Sequence, residues 1–135
     1  MTEITVSRLQ QYIAQKDCKP ELKHEYFLKL SEEVGELSRA MRKNVRAPNE
    51  DDFKGAIEEE IYDVLYYVLA IANLYNVDVT KWIYLKEKFN DSKYGRNISD
   101  TLLQIDGPLD SLESASLSST AFWHNDIDDE IWNNV

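Results

Sequence analysis

Apolar side chains recur at steps of three and four residues in four stretches of the chain, which is the period of an amphipathic α-helix. The pattern predicts helices over about residues 4–16, 21–43, 50–75 and 79–94. No stretch shows the two-residue alternation that is typical of a strand. Because the predicted connections are short, neighbouring helices should run in opposite directions. We therefore expect an all-α fold with an antiparallel four-helix bundle as its core.

The breaks between the predicted helices carry residues with strong local preferences. Pro20 stands where the second helix begins, a position that favours proline. Residues 44–50 are rich in loop-forming side chains, and Asn49 followed by Asp52 resembles the capping arrangement that starts a helix. This arrangement predicts that the third helix starts near residue 50. Residues 76–78 then separate the third helix from the fourth.

The predicted third helix has the widest apolar surface. It contains the longest apolar run of the chain, residues 64–72, whereas the second helix has only a narrow apolar seam. The seam consists of Phe27, Leu30, Val34, Leu37 and Met41, and the wide arc includes Ile57, Ile61, Val64, Leu65, Val68, Leu69, Ile71 and Ala72. A small bundle covers so wide an arc poorly, so we expect a central third helix and assembly into at least a dimer.

The character of the chain changes after Gly95. Residues 1–98 contain 17 acidic and 15 basic residues, whereas residues 99–135 contain eight acidic residues and no Lys or Arg. The end of the chain also carries Phe122, Trp123, Ile131 and Trp132. We therefore predict a helical domain over residues 1–98 and an acidic, aromatic extension over residues 99–135. We expect the extension to dock on a surface, with a short helix near residues 126–133.

Composition excludes several classes of protein. The 135 residues carry a net charge of −10 without a cluster of Lys and Arg, which argues against a nucleic-acid partner. The longest apolar run is nine residues, which is too short to cross a bilayer, and the N-terminus does not resemble a signal peptide. The single cysteine, Cys18, fits a reducing compartment. We expect a cytoplasmic protein that binds neither nucleic acid nor membrane.

Two acidic clusters give the chain its candidate chemistry. The second helix carries Glu32, Glu33 and Glu36 over about 100° of its surface, and the third helix carries Glu60 and Asp63 one turn apart. If the two helices pack antiparallel, these carboxylates converge. Their repulsion then requires a counterion, and Mg²⁺ prefers oxygen ligands and commonly lies between carboxylates and phosphates. The spacing alone also fits a solvated acidic face, in which Lys29 neutralises Glu32 and Arg39 neutralises Glu36.

The sequence LSEEVGEL at residues 30–37, followed by EIYDVLYYV at residues 60–68, resembles the MazG-like all-α nucleoside triphosphate pyrophosphohydrolases. The family pattern is EExxE on one helix and ExxD on the next. The resemblance extends over about residues 20–96, and residues 99–135 match no part of the family core. It implies a hydrolase that splits a nucleoside or deoxynucleoside triphosphate into the monophosphate and pyrophosphate, as expected of nucleotide-pool housekeeping.

The resemblance also implies which residues act. Glu33, Glu36, Glu60 and Asp63 would hold Mg²⁺, with Mn²⁺ as a substitute, and Glu32 would be the general base. Tyr67, Lys86, Asn90 and Arg96 would contact the substrate. It further implies a homodimer or homotetramer. Three other functions stay open: a phosphoribosyl-ATP pyrophosphohydrolase, a dimeric dUTPase-type enzyme, and a non-catalytic helical interaction protein that binds through its acidic tail.

Overall fold

A computed structural model describes residues 3–103 of the chain, and all regular secondary structure in this range is helical. The predicted all-α class is confirmed. The expected docking of the extension and the short helix near residues 126–133 lie outside the described residues. The four α-helices are α1 (Val6–Lys16), α2 (Lys23–Lys43), α3 (Ile57–Leu74) and α4 (Val79–Tyr94), with 3₁₀ turns at Pro20–Leu22 and Ser99–Leu103.

Local capping explains where α1 and α2 begin and end. The Thr5 side chain accepts a hydrogen bond from the Arg8 amide at 3.1 Å, which satisfies one of the free N–H groups at the start of α1. Pro20 starts a 3₁₀ turn that leads directly into α2. Asn44 ends α2 in the left-handed conformation, with φ of 50°, and its N–H bonds to the carbonyls of Ala40 and Met41.

The start of α3 differs from the prediction, because the loop after α2 continues to Ala56. The Asn49 side chain accepts a hydrogen bond from the Asp51 amide at 2.9 Å, so it stabilises a turn within this loop rather than a helix N-terminus. Glu58 then ties the loop to the first turn of α3. Its carboxylate accepts hydrogen bonds from Arg46 Nε at 2.6 Å and from the Ala47 amide at 3.0 Å.

The contacts divide the chain into two units, with the boundary in the sequence after Val79. The first unit contains α1, α2 and α3 around a core built from Ile13, Tyr26, Leu69, Ala70 and Leu74. Ile13 and Leu69 are fully buried. This core places α3 between its two partners, as the wide apolar arc predicts.

Polar contacts give the helix directions within the first unit. Gln10, near the middle of α1, donates a hydrogen bond to the Asn73 side chain at 3.1 Å. Asp17, just after the end of α1, accepts one from the Tyr66 hydroxyl at 3.1 Å. The two helices are therefore antiparallel. Asp17 also accepts a hydrogen bond from the Tyr26 hydroxyl of α2. One carboxylate thus links the end of α1 to both α2 and α3.

Much of the apolar surface of α2 and α3 stays exposed in the single chain. On α3, Ile61, Leu65 and Val68 are exposed at helical spacing. On α2, three seam residues, Phe27, Val34 and Met41, are exposed as well. The seam is therefore not the surface through which α2 packs on α3, which uses Tyr26 and Ala40 instead.

The second unit, described by itself, is α4 and the 3₁₀ turn that follows it. Asp91 is buried and accepts hydrogen bonds from the amides of Ile98 and Ser99, at 3.1 and 2.7 Å. Asp100 accepts from Tyr84 and Lys88, both at 3.0 Å. These bonds hold the turn at Ser99–Leu103 against α4. Among the described residues, no helix has the length and apolar character needed to span a membrane.

Candidate active site

The two acidic clusters of the sequence meet between α2 and α3. Because the Tyr26 ring lies 6.5 Å from that of Tyr67, whereas the amide of Ile57, at the start of α3, bonds to Val45 just after α2, the helices are antiparallel. Carboxylate oxygens of Glu33, Glu36 and Glu60 consequently all lie within 4.8 Å of one another. They line a cavity of about 490 Å³ together with Asp63; its other lining residues are Arg39, Ala40, Lys43, Val45, Lys54, Gly55 and Glu59.

Burial and nearby negative charges raise the pKa of three of the carboxyl groups that line the cavity, those of Glu33, Glu60 and Asp63. Glu60 is only 5% exposed, and its burial, followed by repulsion from Glu36, raises its pKa to about 7. Burial, with the charges of Glu36 and Asp63 next, raises the pKa of Glu33. Burial likewise raises the pKa of Asp63, with the charge of Glu59 as the second cause. Without a counterion, the cluster therefore opposes its own ionisation.

The donor set fits a hard divalent cation. Glu33 Oε2 and Glu60 Oε2 are buried and have no hydrogen-bond partner. Buried carboxylate oxygens without a partner carry a large desolvation cost, which coordination to a cation offsets. The candidate ligand atoms are thus all carboxylate oxygens. Among the described residues, the cavity lining contains no cysteine, methionine or histidine.

Glu32, the residue implied as general base, lies outside the cavity lining. Its side chain is about half exposed and forms an ion pair with Lys29 at 3.1 Å. This pair raises the pKa of Lys29, first through the hydrogen bond and then through the charge of Glu32. The expected Lys29–Glu32 pair is therefore present. The matching pair of Arg39 with Glu36 does not form among residues 3–103; both side chains line the cavity instead.

Tyr67 lies on α3 one turn beyond Asp63 and is half-buried. Its ring packs edge-on against Tyr66, at 5.1 Å between centroids, and against Tyr26. Burial raises the pKa of its hydroxyl, and the charges of Glu33 and Asp63 act in the same direction. Tyr67 therefore stays protonated next to the acidic cluster, as a hydrogen-bond donor must.

The other three implied substrate contacts belong to the second unit. Lys86 lies over the Phe89 ring with its Nζ 5.1 Å from the centroid, and Asn90 donates a hydrogen bond to Glu87 at 3.4 Å. Arg96 follows α4, and its Nε lies 3.8 Å from Oδ1 of Asp91. The structure thus places Lys86 and Asn90 one turn apart on the same face of α4.

The cavity also contains charged residues that the sequence motifs do not identify. Glu59 is half-buried, pairs with Lys54 at 3.7 Å and accepts a hydrogen bond from the Gly55 amide. Glu59 lies four residues before Asp63 and therefore on the same face of the helix. This spacing is the sequence feature that could have identified Glu59 as a residue of the site. Arg39 and Lys43 follow Glu36 at steps of three and four residues, so helical spacing alone places them on the same face of α2 as Glu36, toward its C-terminus.

Comparison with known proteins decides the family. The family model of the MazG nucleotide pyrophosphohydrolase domain matches residues 22–92, more than half of the chain. The chain belongs to the MazG family. This MazG domain contains both acidic motifs, all of α2 and α3 and most of α4. Members of the family act as hydrolases on nucleoside triphosphates, and this chain is a pyrophosphohydrolase of that kind.

Solved structures agree with the assignment. The MazG chain is 48% identical to iMazG from Vibrio DAT 722 in a crystal structure of Ntag-iMazG. The match covers 69% of this chain and 100% of that one, with a TM-score of 0.64. A crystal structure of Ctag-iMazG, the same protein, gives 47% identity over 65% of this chain and 99% of that one, with a TM-score of 0.62. A search among curated proteins gave no match.

Proposed function

We propose that this MazG protein is a Mg²⁺-dependent pyrophosphohydrolase that releases a nucleoside monophosphate and pyrophosphate. It would act on nucleoside or deoxynucleoside triphosphates in cytoplasmic nucleotide-pool housekeeping. The observation that carries the proposal is the convergence of Glu33, Glu36 and Glu60 within 4.8 Å, with one buried, unpartnered oxygen on each of Glu33 and Glu60. Such a cluster is costly for the folded chain unless a cation binds to it.

Glu33, Glu36, Glu60 and Asp63 would hold the ion, and Mn²⁺ would substitute for Mg²⁺. When bound, the ion neutralises phosphate oxygens and makes the phosphorus a better target for water. Asp63 lies one turn beyond Glu60 on α3 and borders the same cavity. All four carboxylates therefore line one cavity, in which the ion would lie between them and a substrate phosphate.

Hydrolysis requires a group that accepts a proton from the attacking water. Water forms a bond to the α-phosphorus, the bond from that phosphorus to the bridging oxygen of the β-phosphate breaks, and pyrophosphate leaves with the electron pair. Glu32 is the proposed base, and its carboxylate lies 3.1 Å from the Lys29 ammonium, with which it forms an ion pair. Glu59 is a second candidate, because its carboxylate lines the cavity.

Four further residues are proposed to contact the substrate. Tyr67 offers a protonated hydroxyl beside the acidic cluster, which would donate to a phosphate or sugar oxygen. Lys86 and Arg96 would contribute positive charge to the triphosphate, and Asn90 an amide that can both donate and accept.

The exposed apolar surface supports a homo-oligomer. Ile61, Leu65 and Val68 form a continuous exposed stripe on α3, which a second copy of the chain would cover in a homodimer or homotetramer. Light scattering at micromolar protein tests this point, and a particle of the monomer mass of 15.7 kDa would contradict it.

The deciding experiment is a panel of nucleoside and deoxynucleoside triphosphates with dUDP and phosphoribosyl-ATP, assayed with Mg²⁺, Mn²⁺ or EDTA. Mass analysis of the products separates the monophosphate and pyrophosphate from other cleavages. We expect turnover of triphosphates only with the metal. Turnover confined to phosphoribosyl-ATP, or to dUTP with dUDP, would instead support one of the two narrower enzymes of the superfamily. No turnover of any compound with either Mg²⁺ or Mn²⁺ would contradict the proposal.

A further inference from the structure

The cavity between α2 and α3 has an acidic part and a basic part. Along α2, Glu33 and Glu36 are followed by Arg39 and Lys43, and all four side chains line the same cavity. At 1.5 Å per residue, Arg39 and Lys43 lie about 4.5 and 10.5 Å beyond Glu36 along the helix axis. Because side chains of a helix tilt toward its N-terminus, both cations reach back toward the carboxylates.

Neither Arg39 nor Lys43 has a hydrogen-bond or ion-pair partner within the part of the chain that the structure describes. Both cations line the same cavity as Glu33, Glu36, Glu60 and Asp63, but neither forms an ion pair with these carboxylates. Lys54, the other cation of the cavity, is already paired with Glu59 at 3.7 Å. Among the cations that line the cavity, Arg39 and Lys43 are therefore the two that can neutralise a bound anion.

A structural role at the end of α2 explains only part of this arrangement. Cations in the last turn of a helix interact favourably with its dipole, and both Arg42 and Lys43 lie in that turn. Arg42, however, does not line the cavity, and Arg39 lies before the last turn. Arg42 alone can therefore provide the favourable charge at the C-terminus of α2. Arg39 and Lys43 differ from Arg42 in that both line the cavity.

We propose that Arg39 and Lys43 bind the β- and γ-phosphates, which leave as pyrophosphate, and that Lys43 makes the enzyme prefer triphosphates to diphosphates. The inference rests on the proposed function, in which the α-phosphorus reacts at the carboxylates. The phosphates beyond it then extend along α2, first to Arg39 and then to Lys43. A diphosphate is one phosphate shorter, so its last phosphate reaches Arg39 but not Lys43.

The first test measures anion binding without turnover. Isothermal titration with inorganic pyrophosphate, in the presence of Mg²⁺, compares the wild type with Lys43→Gln and with the matched control Arg42→Gln. Losing one charge-assisted contact should weaken pyrophosphate binding at least about ten-fold in Lys43→Gln. Arg42→Gln should bind as the wild type does, and Lys43→Arg should restore most of the affinity. The helical circular dichroism of each variant checks that it is folded.

The second test measures specificity. The ratio of kcat/KM for a nucleoside triphosphate to that for its diphosphate should fall about ten-fold or more in Lys43→Gln. Arg39→Gln should impair both substrates and change the ratio much less. An unchanged ratio in Lys43→Gln, or an equal loss of pyrophosphate affinity in Arg42→Gln, would overturn the assignment.

The two proposals can fail separately. A wild type that hydrolyses triphosphates, with a Lys43→Gln variant that behaves identically, retains the proposed function and overturns the inference. A wild type that hydrolyses no nucleotide overturns the proposed function. In that case, loss of pyrophosphate binding in Lys43→Gln but not in Arg42→Gln still supports an anion-binding site at Lys43.

Discussion

Burial of the Glu60 carboxylate makes the stability of the metal-free protein depend on pH. The group has an ordinary pKa of 4.5 in the unfolded chain and about 7 in the folded one. Its raised pKa means that the folded state binds the proton more tightly than the unfolded state does. The metal-free protein should therefore become more stable as the pH falls from about 7 toward 4.5, and less stable as the pH rises through that window.

The magnitude follows from the difference between the two pKa values. A difference from 4.5 to about 7 corresponds to up to about 3 kcal/mol in the free energy of unfolding. Glu60→Gln replaces the carboxyl by a neutral group of the same shape that does not titrate. The variant should lose the share of the pH dependence that Glu60 contributes, whereas Glu33 and Asp63, whose pKa values are also raised by burial, retain theirs.

Urea unfolding in EDTA, at one protein concentration and at several values between pH 5 and pH 8, measures this share. We expect the gain in unfolding free energy on going from pH 8 to pH 5 to be smaller in Glu60→Gln than in the wild type, by up to about 3 kcal/mol. Glu58→Gln is the matched control. Hydrogen bonds from the Ala47 amide and Arg46 lower the pKa of Glu58 to about 2, so its titration lies below the window. Equal slopes in wild type and Glu60→Gln would refute the reasoning.

Three further predictions concern the metal ligands, the core and the end of the chain. Asp63→Asn and Glu36→Gln should abolish pyrophosphate release and leave the helical circular dichroism intact; unfolding of both variants would instead mark the cluster as structural. Asp17→Ala should destabilise the fold by about 1–3 kcal/mol in thermal or urea melts, because it removes the acceptor of two tyrosine hydroxyls, and an unchanged melting temperature would exclude this role. A chain ended at Leu103 should keep the helical signal of α4, and a chain ended at Asn97 should melt at a lower temperature, since it lacks the Ile98 and Ser99 amides that bond to Asp91. Full-length protein should differ from the Leu103 form in oligomeric mass or in KM; identity in both would argue against a docked extension.

Periodicity identified the helices because most of them are amphipathic over many residues. The bounds of α4 agree with the prediction, and those of α1 and α2 differ by about two residues at their starts. The start of α3 was wrong because Asn49 has the same short-range preference for a turn as for a helix cap. The structure shows the turn, in which the Asp51 amide donates to the Asn49 side chain. Glu58, nine residues further along the chain, accepts hydrogen bonds from Arg46 and Ala47 of the same loop, a contact that local preferences do not reveal.

The sequence predicted less of the candidate active site than of the fold. Helical spacing placed Glu33, Glu36 and Glu60 near one another once an antiparallel pair was assumed, and the structure confirms that convergence. Spacing could not show that Glu60 is the buried member, since burial depends on which side of α3 meets α2. Nor could it show that Arg39 turns to the cavity instead of pairing with Glu36, because three-residue spacing allows both.

The Asp17 linkage has a mechanical consequence for the carboxylates. Tyr26 and Tyr66 donate to one acceptor, so α2 and α3 are held at a fixed separation about two turns from Glu33 and one turn from Asp63. Electrostatic repulsion between the acidic side chains pushes the same two helices apart. The linkage resists this force before any cation arrives, so the ligand atoms are already spaced when it does. Cation affinity then need not be reduced by the work of closing the helices, which is the advantage of a preorganised site.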